Sequence, residues 1–153
     1  MDIDRYDRMI LQVLQQDGRI SNQELADRIG LSPSPCLRRV RALEDSGIIS
    51  GYRALLNTKA LGYSLMALIY ISMDKHTPER FEHFDQEIGL IPEVVECLLI
   101  TGQAADYQLK VVAHNMDAFQ ELLLNRITRI QGVTGVHSSF VLRRVLDRTE
   151  VPV

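Results

Sequence analysis

The sequence lacks tryptophan and has only two cysteines, Cys36 and Cys97, among its 153 residues. Two cysteines cannot hold a chain of this length together, so a disulfide scaffold is excluded and a reducing cytoplasm is the default expectation. No apolar run approaches the roughly 18 residues of a membrane span, and the longest, at residues 65–71, is only as long as a strand. The acidic start, residues 1–5, does not resemble a secretory signal. With nine glycines and five prolines, the composition is typical of a globular protein.

Lysine is missing from the first 53 residues, which contain eight arginines and eight acidic residues. The remainder has nine basic and twelve acidic residues, so the whole chain has a net charge of −3. That balance argues against a nucleic-acid binder. Residues 38–53, however, contain four arginines and only two acidic residues. A local basic patch on an acidic protein is therefore compatible with DNA binding.

The pattern of residues 3–30 predicts two helices. Apolar residues recur at helical spacing over residues 3–17. Ser21 and Glu24 have the spacing of a capping box, which predicts the start of a second helix. Gly30 ends that helix, since glycine readily adopts the left-handed conformation of a turn.

A third helix and a hairpin are predicted next. Ser32 is the expected N-cap and Pro33 the first helical residue. Residues 48–56 read as two short strands joined by a tight turn, which would be the wing of a winged helix-turn-helix. The inward side of the third helix is expected to carry Leu37, Val40 and Leu43, together with Glu44.

The third helix is the expected DNA-reading helix. Ser34, Arg38 and Arg41 share one face at spacing i, i+4 and i+7, with Arg39 on its flank. Arginine can pair bidentately with guanine, and serine can contact a base or a phosphate. The alternative is an ordinary solvated arginine face, on which Arg41 pairs with Asp45 one turn later.

The rest of the chain predicts a β-α-β-β-α-β order, which is a ferredoxin-like arrangement. The first strand is nearly all apolar, so both of its faces are expected to be covered. The predicted strands are 64–73, 94–100, 107–113 and 136–146. One predicted helix begins at Thr77-Pro78, and the other spans 115–130.

No pattern in the sequence indicates catalysis, so an enzyme is not expected. There is no glycine-rich phosphate loop and no nucleophile elbow. The histidines have no metal-ligand spacing with one another or with a cysteine. They are His76, His83, His114 and His137.

Several blocks of the sequence resemble the Lrp/AsnC family of transcription regulators. The N-terminal blocks are Asp17-Gly18-Arg19-Ile20-Ser21-Asn22, Gly30-Leu31-Ser32-Pro33-Ser34-Pro35-Cys36 and Gly47-Ile48-Ile49-Ser50-Gly51-Tyr52. The later ones are Thr101-Gly102, Asp106-Tyr107 and Leu109-Lys110-Val111. The resemblance covers nearly the whole chain and is closest to the leucine-responsive branch.

This resemblance implies an α+β protein, with an N-terminal winged helix-turn-helix and a C-terminal ferredoxin-like βαββαβ (RAM) domain. The expected domains are 1–56 and 64–153, joined by a linker at 57–63. The implied partners are double-stranded DNA, an amino-acid effector and further copies of the chain, as a homodimer or an octamer. No cofactor, metal or membrane is expected, and the implied location is the prokaryotic cytoplasm, associated with the nucleoid.

The resemblance and the residue chemistry together give two sets of candidate site residues. The family loop between Gly102 and Asp106 usually has two residues, and here it has three, which leaves the identity of the effector open. The DNA-binding candidates are Ser21, Asn22, Ser32, Ser34, Pro35, Arg38, Arg39 and Arg41. The effector-binding candidates are Thr101, Gly102, Gln103, Ala104, Asp106, Tyr107, Ser138 and Ser139.

The effector loop has a chemical rationale of its own. Backbone amides in a turn at Thr101–Ala104 suit the carboxylate of a free amino acid. Asp106 could hold its ammonium group by a charge-assisted bond. A hydrophobic amino acid such as leucine or methionine is the expected ligand. The alternatives are a ligand-independent architectural DNA-binding protein, and a metabolic amino-acid-binding domain that carries a helix-turn-helix.

Overall fold

The computed structural model describes residues 2–102 and 105–153. The chain divides into two compact units. The N-terminal unit contains the residues up to Leu55 together with Leu146–Val153, and the sheet unit is Leu56–Val145. The last eight residues therefore pack with the N-terminal unit, although the sequence grouped them with the second domain.

Three helices build the N-terminal unit: α1 (Arg5–Gln16), α2 (Asn22–Ile29) and α3 (Pro33–Asp45). Ser21 and Glu24 form the predicted capping box, and Gly30 ends α2 at φ 73°, so both predictions are confirmed. Ser32 occupies the N-cap position of α3 as predicted, but its side chain makes no capping hydrogen bond.

The inward stripe of α3 differs from the prediction at two residues. Cys36 and Leu43 are completely buried and Val40 packs beside them, whereas Leu37 is 38% exposed and Glu44 is also exposed. Because a helix turns by about 100° per residue, the buried stripe runs through positions 36, 40 and 43, and positions 37 and 44 fall to its side. The predicted inward positions of Leu37 and Glu44 are therefore wrong.

The segment after α3 does not form the predicted hairpin, since residues 48–56 contain no strand. Ile49 donates its backbone N–H to the Leu43 carbonyl, at 3.1 Å, but the side chains from Gly51 to Leu56 are exposed. An isolated two-stranded hairpin gains little from pairing unless one of its faces is buried. Ile48 to Tyr52 instead line a groove with Thr149, Val151 and Val153.

The sheet unit has the predicted βαββαβ order and a four-stranded antiparallel sheet ordered β2-β3-β1-β4. A short 3-10 helix follows its second helix. The strands are β1 (Leu65–Met73), β2 (Val94–Leu99), β3 (Tyr107–Ala113) and β4 (Val133–Phe140), and the helices are α4 (Pro78–Gly89) and α5 (Met116–Asn125).

Two elements in this unit have bounds that differ from the prediction by more than one residue. The second helix ends at Asn125, followed by the 3-10 turn Ile127–Arg129, instead of running to Ile130. The last strand is Val133–Phe140, not 136–146, and it pairs with Ala67–Met73 of β1. The Val141 N–H still donates to the Met66 carbonyl at 2.9 Å, but β1 begins at Leu65 and offers nothing opposite residues 143–146.

One face of the sheet packs against the helices. Ala67, Ile69 and Ile71 of β1 are completely buried there, whereas the alternate residues Leu68 and Tyr70 are only half-buried. The expectation that both faces of β1 are covered is therefore wrong within this chain. The second face of the sheet is an open surface, which we call the open face.

Candidate DNA interface and effector region

Helix α3 presents two arginines that the fold does not use. Arg38 and Arg41 are exposed, and neither has a hydrogen bond or ion pair with any residue in 2–102 or 105–153. The Arg41–Asp45 pair considered from the sequence is not formed among these residues. Because Cys36 and Leu43 bury the opposite side of the helix, its two arginines and the exposed Ser34 are left to an outside partner.

Arg39 is held inside the N-terminal unit instead. Its Nη1 lies 2.9 Å from an oxygen of Asp7 and 2.8 Å from one of Asp4, and its guanidinium carbon lies 5.4 Å from the centre of the Tyr6 ring. Asp7 is almost completely buried. The hydrogen bond from Arg39 to Asp7 raises the pKa of Arg39 the most, and the bond from Arg39 to Asp4 raises it further. Arg39 therefore fixes α3 against α1.

The residues at the start of α2 also have partners within the fold. The Ser21 hydroxyl lies 2.8 Å from Glu24 Oε2, and this contact and the Ser21 N–H lower the pKa of the Glu24 carboxyl. Asn22 donates from Nδ2 to the Pro33 carbonyl at 2.9 Å, which links the first turns of α2 and α3. These two candidates help to set the position of the reading helix.

The first turn of α3 contains the three remaining candidates. Ser32 and Ser34 are exposed, and Pro35 is half-buried. Ser32 has no capping bond, so its hydroxyl is available at the helix N-terminus, where backbone N–H groups favour a phosphate.

Asp106 is the best-connected residue of the effector region. Its Oδ2 accepts the Met73 N–H at 2.7 Å, and its Oδ1 lies 2.8 Å from Nε2 of His76. Its backbone N–H donates to the Ile71 carbonyl and its carbonyl accepts from Ile100. Asp106 thus joins the end of β1 to the segment that leads into β3, and both carboxylate oxygens have a partner.

The other loop candidates are distributed differently. Thr101 and Gly102 are exposed. Gln103 and Ala104 lie outside the described residues. The candidate effector loop therefore begins at the exposed Thr101-Gly102 and ends at Asp106, which is hydrogen-bonded to the sheet.

Tyr107 belongs to the core of the sheet unit. Its ring is 2% exposed and lies 4.3 Å from the Phe84 ring, centre to centre, and its hydroxyl donates to Asp85 at 2.8 Å. Burial, and then the Asp85 carboxylate, raise the pKa of Tyr107 well above its ordinary value of 10. This side chain supports the effector region from the helix side.

Ser138 and Ser139 lie on opposite faces of β4. Ser138 is paired with the buried Ile69 and its hydroxyl is buried, without a hydrogen-bond partner among the described residues. Ser139 is paired with Leu68 and is exposed on the open face. Because neighbouring residues of a strand point to opposite sides, only one of these serines can reach a given site.

The two cysteines behave as packing residues. Burial raises the pKa of the Cys36 thiol. Burial, and to a smaller extent the Asp85 carboxylate, raise the pKa of the Cys97 thiol to about 11.

Within residues 2–102 and 105–153, no cluster of three or more His, Cys, Asp or Glu side chains could hold a metal ion. In the same part of the chain, every helix is too short or too polar to cross a membrane.

Comparison with known proteins identifies both parts of the chain. A family model for a winged helix-turn-helix DNA-binding domain matches residues 3–50. A model for the Lrp/AsnC ligand binding domain matches residues 66–151. The chain belongs to the Lrp/AsnC family. The predicted fold class and the prediction of a transcription regulator rather than an enzyme are thereby confirmed.

Relatives within the Lrp/AsnC family cover nearly the whole length of the chain. The leucine-responsive regulatory protein of Escherichia coli is 44% identical over 94% of this chain and 87% of its own length. A transcriptional regulator from Neisseria meningitidis, solved as an L-Met complex, is 40% identical, with a TM-score of 0.94 over 99% of this chain and 97% of its own. The feast or famine regulatory protein of Mycobacterium tuberculosis, complexed with L-methionine, is 31% identical, with a TM-score of 0.87 over 98% and 99%.

Two features of this Lrp/AsnC chain were missed in the sequence. The ion pairs of Arg39 with Asp4 and Asp7 could have been suspected, because Asp4 and Asp7 are three residues apart and form the capping box of α1. The contact of His76 with Asp106 spans 30 residues and has no motif. It depends on the meeting of two loops at one end of the sheet.

Proposed function

We propose that this Lrp/AsnC regulator reads double-stranded DNA with the exposed face of α3, and that a hydrophobic amino acid, methionine or leucine, modulates this binding. The observation that carries the DNA interface is the pair Arg38 and Arg41, exposed and without ionic partners among the described residues. Ser32 and Ser34 extend this surface to the helix N-terminus. Such a helix end is the part that enters the major groove.

Self-association belongs to this proposal. The chain has a net charge of −3, so a single reading helix has little general attraction to DNA. Linking two or more reading helices raises avidity by about 10² to 10⁴ without any new contact. The open face, with Leu68 and Tyr70 half-buried, is a surface on which a second copy could pack. We therefore propose a homodimer that assembles further to an octamer, associated with the nucleoid in the cytoplasm.

The DNA proposal is tested with Arg38→Ala. Loss of a bidentate base contact should weaken binding to the specific site by about 1–3 kcal/mol and relax the preference at one base pair. Fluorescence anisotropy with a selected operator and its single-base variants measures both effects. Arg8→Ala removes an equally exposed arginine of α1 and should leave the affinity unchanged. If both variants bind with wild-type affinity, α3 is not the reading helix.

The effector proposal is supported by the L-methionine complexes of the two relatives. At 100 times its dissociation constant, a ligand stabilises the protein by about 2.7 kcal/mol. For a chain of this size, that raises Tm by several degrees, at roughly 2–4 °C per kcal/mol. Thermal-shift measurement with each of the twenty amino acids should show this increase for methionine or leucine.

Asp106→Asn tests the place of the effector. Asparagine keeps an oxygen to accept the Met73 N–H but removes the charge that would hold an ammonium group. The variant should lose the thermal shift and keep its basal DNA affinity. A full thermal shift in Asp106→Asn would place the ligand elsewhere.

A second function is favoured by one observation. Both oxygens of Asp106 already have partners, so this region could be closed to ligands and the protein could be a ligand-independent architectural DNA-binding protein. Its signature would be no thermal shift with any amino acid and DNA binding that none of them changes.

A further inference from the structure

The carboxylate of Asp106 has two different partners on its two oxygens. The Met73 N–H, on Oδ2, belongs to the backbone of β1 and is fixed by the sheet. The partner of Oδ1 is the imidazole of His76, at 2.8 Å. Among the described residues this imidazole has one further contact, with the Phe81 ring at 6.0 Å between ring centres.

We propose that His76 occupies the cation position on Asp106 that the ammonium group of an amino-acid effector takes, so that the effector must displace His76 to bind. This inference rests on the proposed effector function and names a residue that regulates its site. The shared position follows from chemistry, because an imidazole N–H and an ammonium group both donate to a carboxylate oxygen. Oδ1 is the oxygen they share, since the backbone amide holds Oδ2.

His76 is suited to leave this position. Its side chain is 66% exposed, whereas that of Asp106 is 22% exposed. Rotation of the imidazole into water breaks one partly exposed contact and leaves the backbone bonds of Asp106 in place. Displacement therefore opens Oδ1 without moving the sheet.

The other charged groups around His76 do not provide an alternative partner. Asp74, at the end of β1, is paired with Arg80 of α4 at 3.0 Å. Asp85 of α4 accepts the Tyr107 hydroxyl. Lys75 and Glu79 are exposed and have no ion pair among the described residues. Asp106 is the carboxylate that His76 contacts.

The test is isothermal titration of the full chain with L-methionine and L-leucine. His76→Ala should bind the amino acid roughly two- to fivefold more tightly than wild type, the range expected for one partly exposed pair. His83→Ala is the matched control, because His83 is a partly exposed histidine of α4 without a hydrogen bond among the described residues.

A ligand without an ammonium group isolates the proposed contact. The des-amino analogue of methionine, 4-(methylthio)butanoate, should bind wild type and His76→Ala equally. If wild type binds methionine and His76→Ala binds it no more tightly, the inference about His76 is wrong and the effector function still stands. If neither wild type nor His76→Ala binds methionine or leucine, the effector function fails and the inference with it.

Discussion

Three arginines within four positions of α3 differ in their surroundings, since two are exposed and one is paired within the N-terminal unit. Arg38 and Arg41 point away from the packed side of the helix, while Arg39 lies over Tyr6 and pairs with Asp4 and Asp7 of α1. Their chemistry is identical, so the difference comes from the angle at which each leaves the helix and from the acidic residues on its neighbour. A count of the basic residues of α3 therefore overstates the positive charge that its exposed face carries.

Arg39→Ala should lower the free energy of unfolding by about 1–3 kcal/mol. The substitution leaves the buried carboxylate of Asp7 without its guanidinium partner, and an unpaired buried polar group is costly. Urea denaturation measures this loss. Arg38→Ala should change stability by less than about 0.5 kcal/mol, since Arg38 is exposed. If Arg39→Ala has wild-type stability, the ion pairs of Arg39 do not stabilise the fold, and Arg39 is again a candidate for contacting DNA.

At this scale the sequence predicted which side chains of α3 are exposed better than it predicted the partners of the candidate residues. Ser34, Arg38 and Arg41 are exposed as expected, because helical spacing alone sorts a stripe to the outside. The contact of Asp106 with His76 was not predictable, since it joins loops that are distant in sequence. Tyr107 was assigned to the effector loop by its motif, yet its ring is in the core, because β3 begins there and alternation turns the side chain toward the helices.

Local signals determined most of the helices and strands. The capping box of Ser21 and Glu24 and the turn at Gly30 gave the bounds of α2, because both signals lie within a few residues of the helix ends. The end of β4 was mistaken because a strand needs a partner, and the partner of β4 is β1, which lies far earlier in the sequence. The hairpin of residues 48–56 was mistaken because two adjacent strands also need a buried face, which local signals do not show.

Ser21→Ala should shorten or fray the start of α2 and lower stability by about 0.5–2 kcal/mol, because the hydroxyl accepts the Glu24 N–H. Circular dichroism during urea denaturation measures the change. Ser21→Thr keeps a hydroxyl N-cap and is the control, expected to retain most of the stability. A variant Ser21→Ala with wild-type stability and weakened DNA binding would show that the hydroxyl contacts DNA instead.

For the whole molecule, the most consequential feature is the C-terminal segment Leu146–Val153, which belongs to the N-terminal unit. Gln15 of α1 both donates to the Val151 carbonyl and accepts the Val151 N–H, at 3.1 and 2.7 Å. Val153 packs against the core of the unit. The sequence could not have shown this, because the segment has no periodic pattern and its partners are more than 130 residues away.

Gln15→Ala should loosen this segment. Each lost hydrogen bond contributes about 0.5–1.5 kcal/mol, and less where water can replace it. Amide hydrogen exchange at Val151 should become faster, while exchange in β1 stays unchanged. Gln16→Ala removes a neighbouring glutamine that has no hydrogen bond among the described residues and should leave the Val151 exchange rate as it is. Slow exchange at Val151 in Gln15→Ala would mean that the packing of Val153 and its hydrogen bond from Gln12 hold the segment without Gln15.

The return of the chain to its first unit also has a consequence for synthesis on the ribosome. Helix α3, which presents Arg38 and Arg41, is made early, but its unit is completed only when residues 146–153 emerge, after the entire sheet unit. During most of the synthesis, α3 therefore lacks the contacts that this segment makes within the unit. We expect the helix-turn-helix unit to reach its final structure only after the ligand-binding domain has been made.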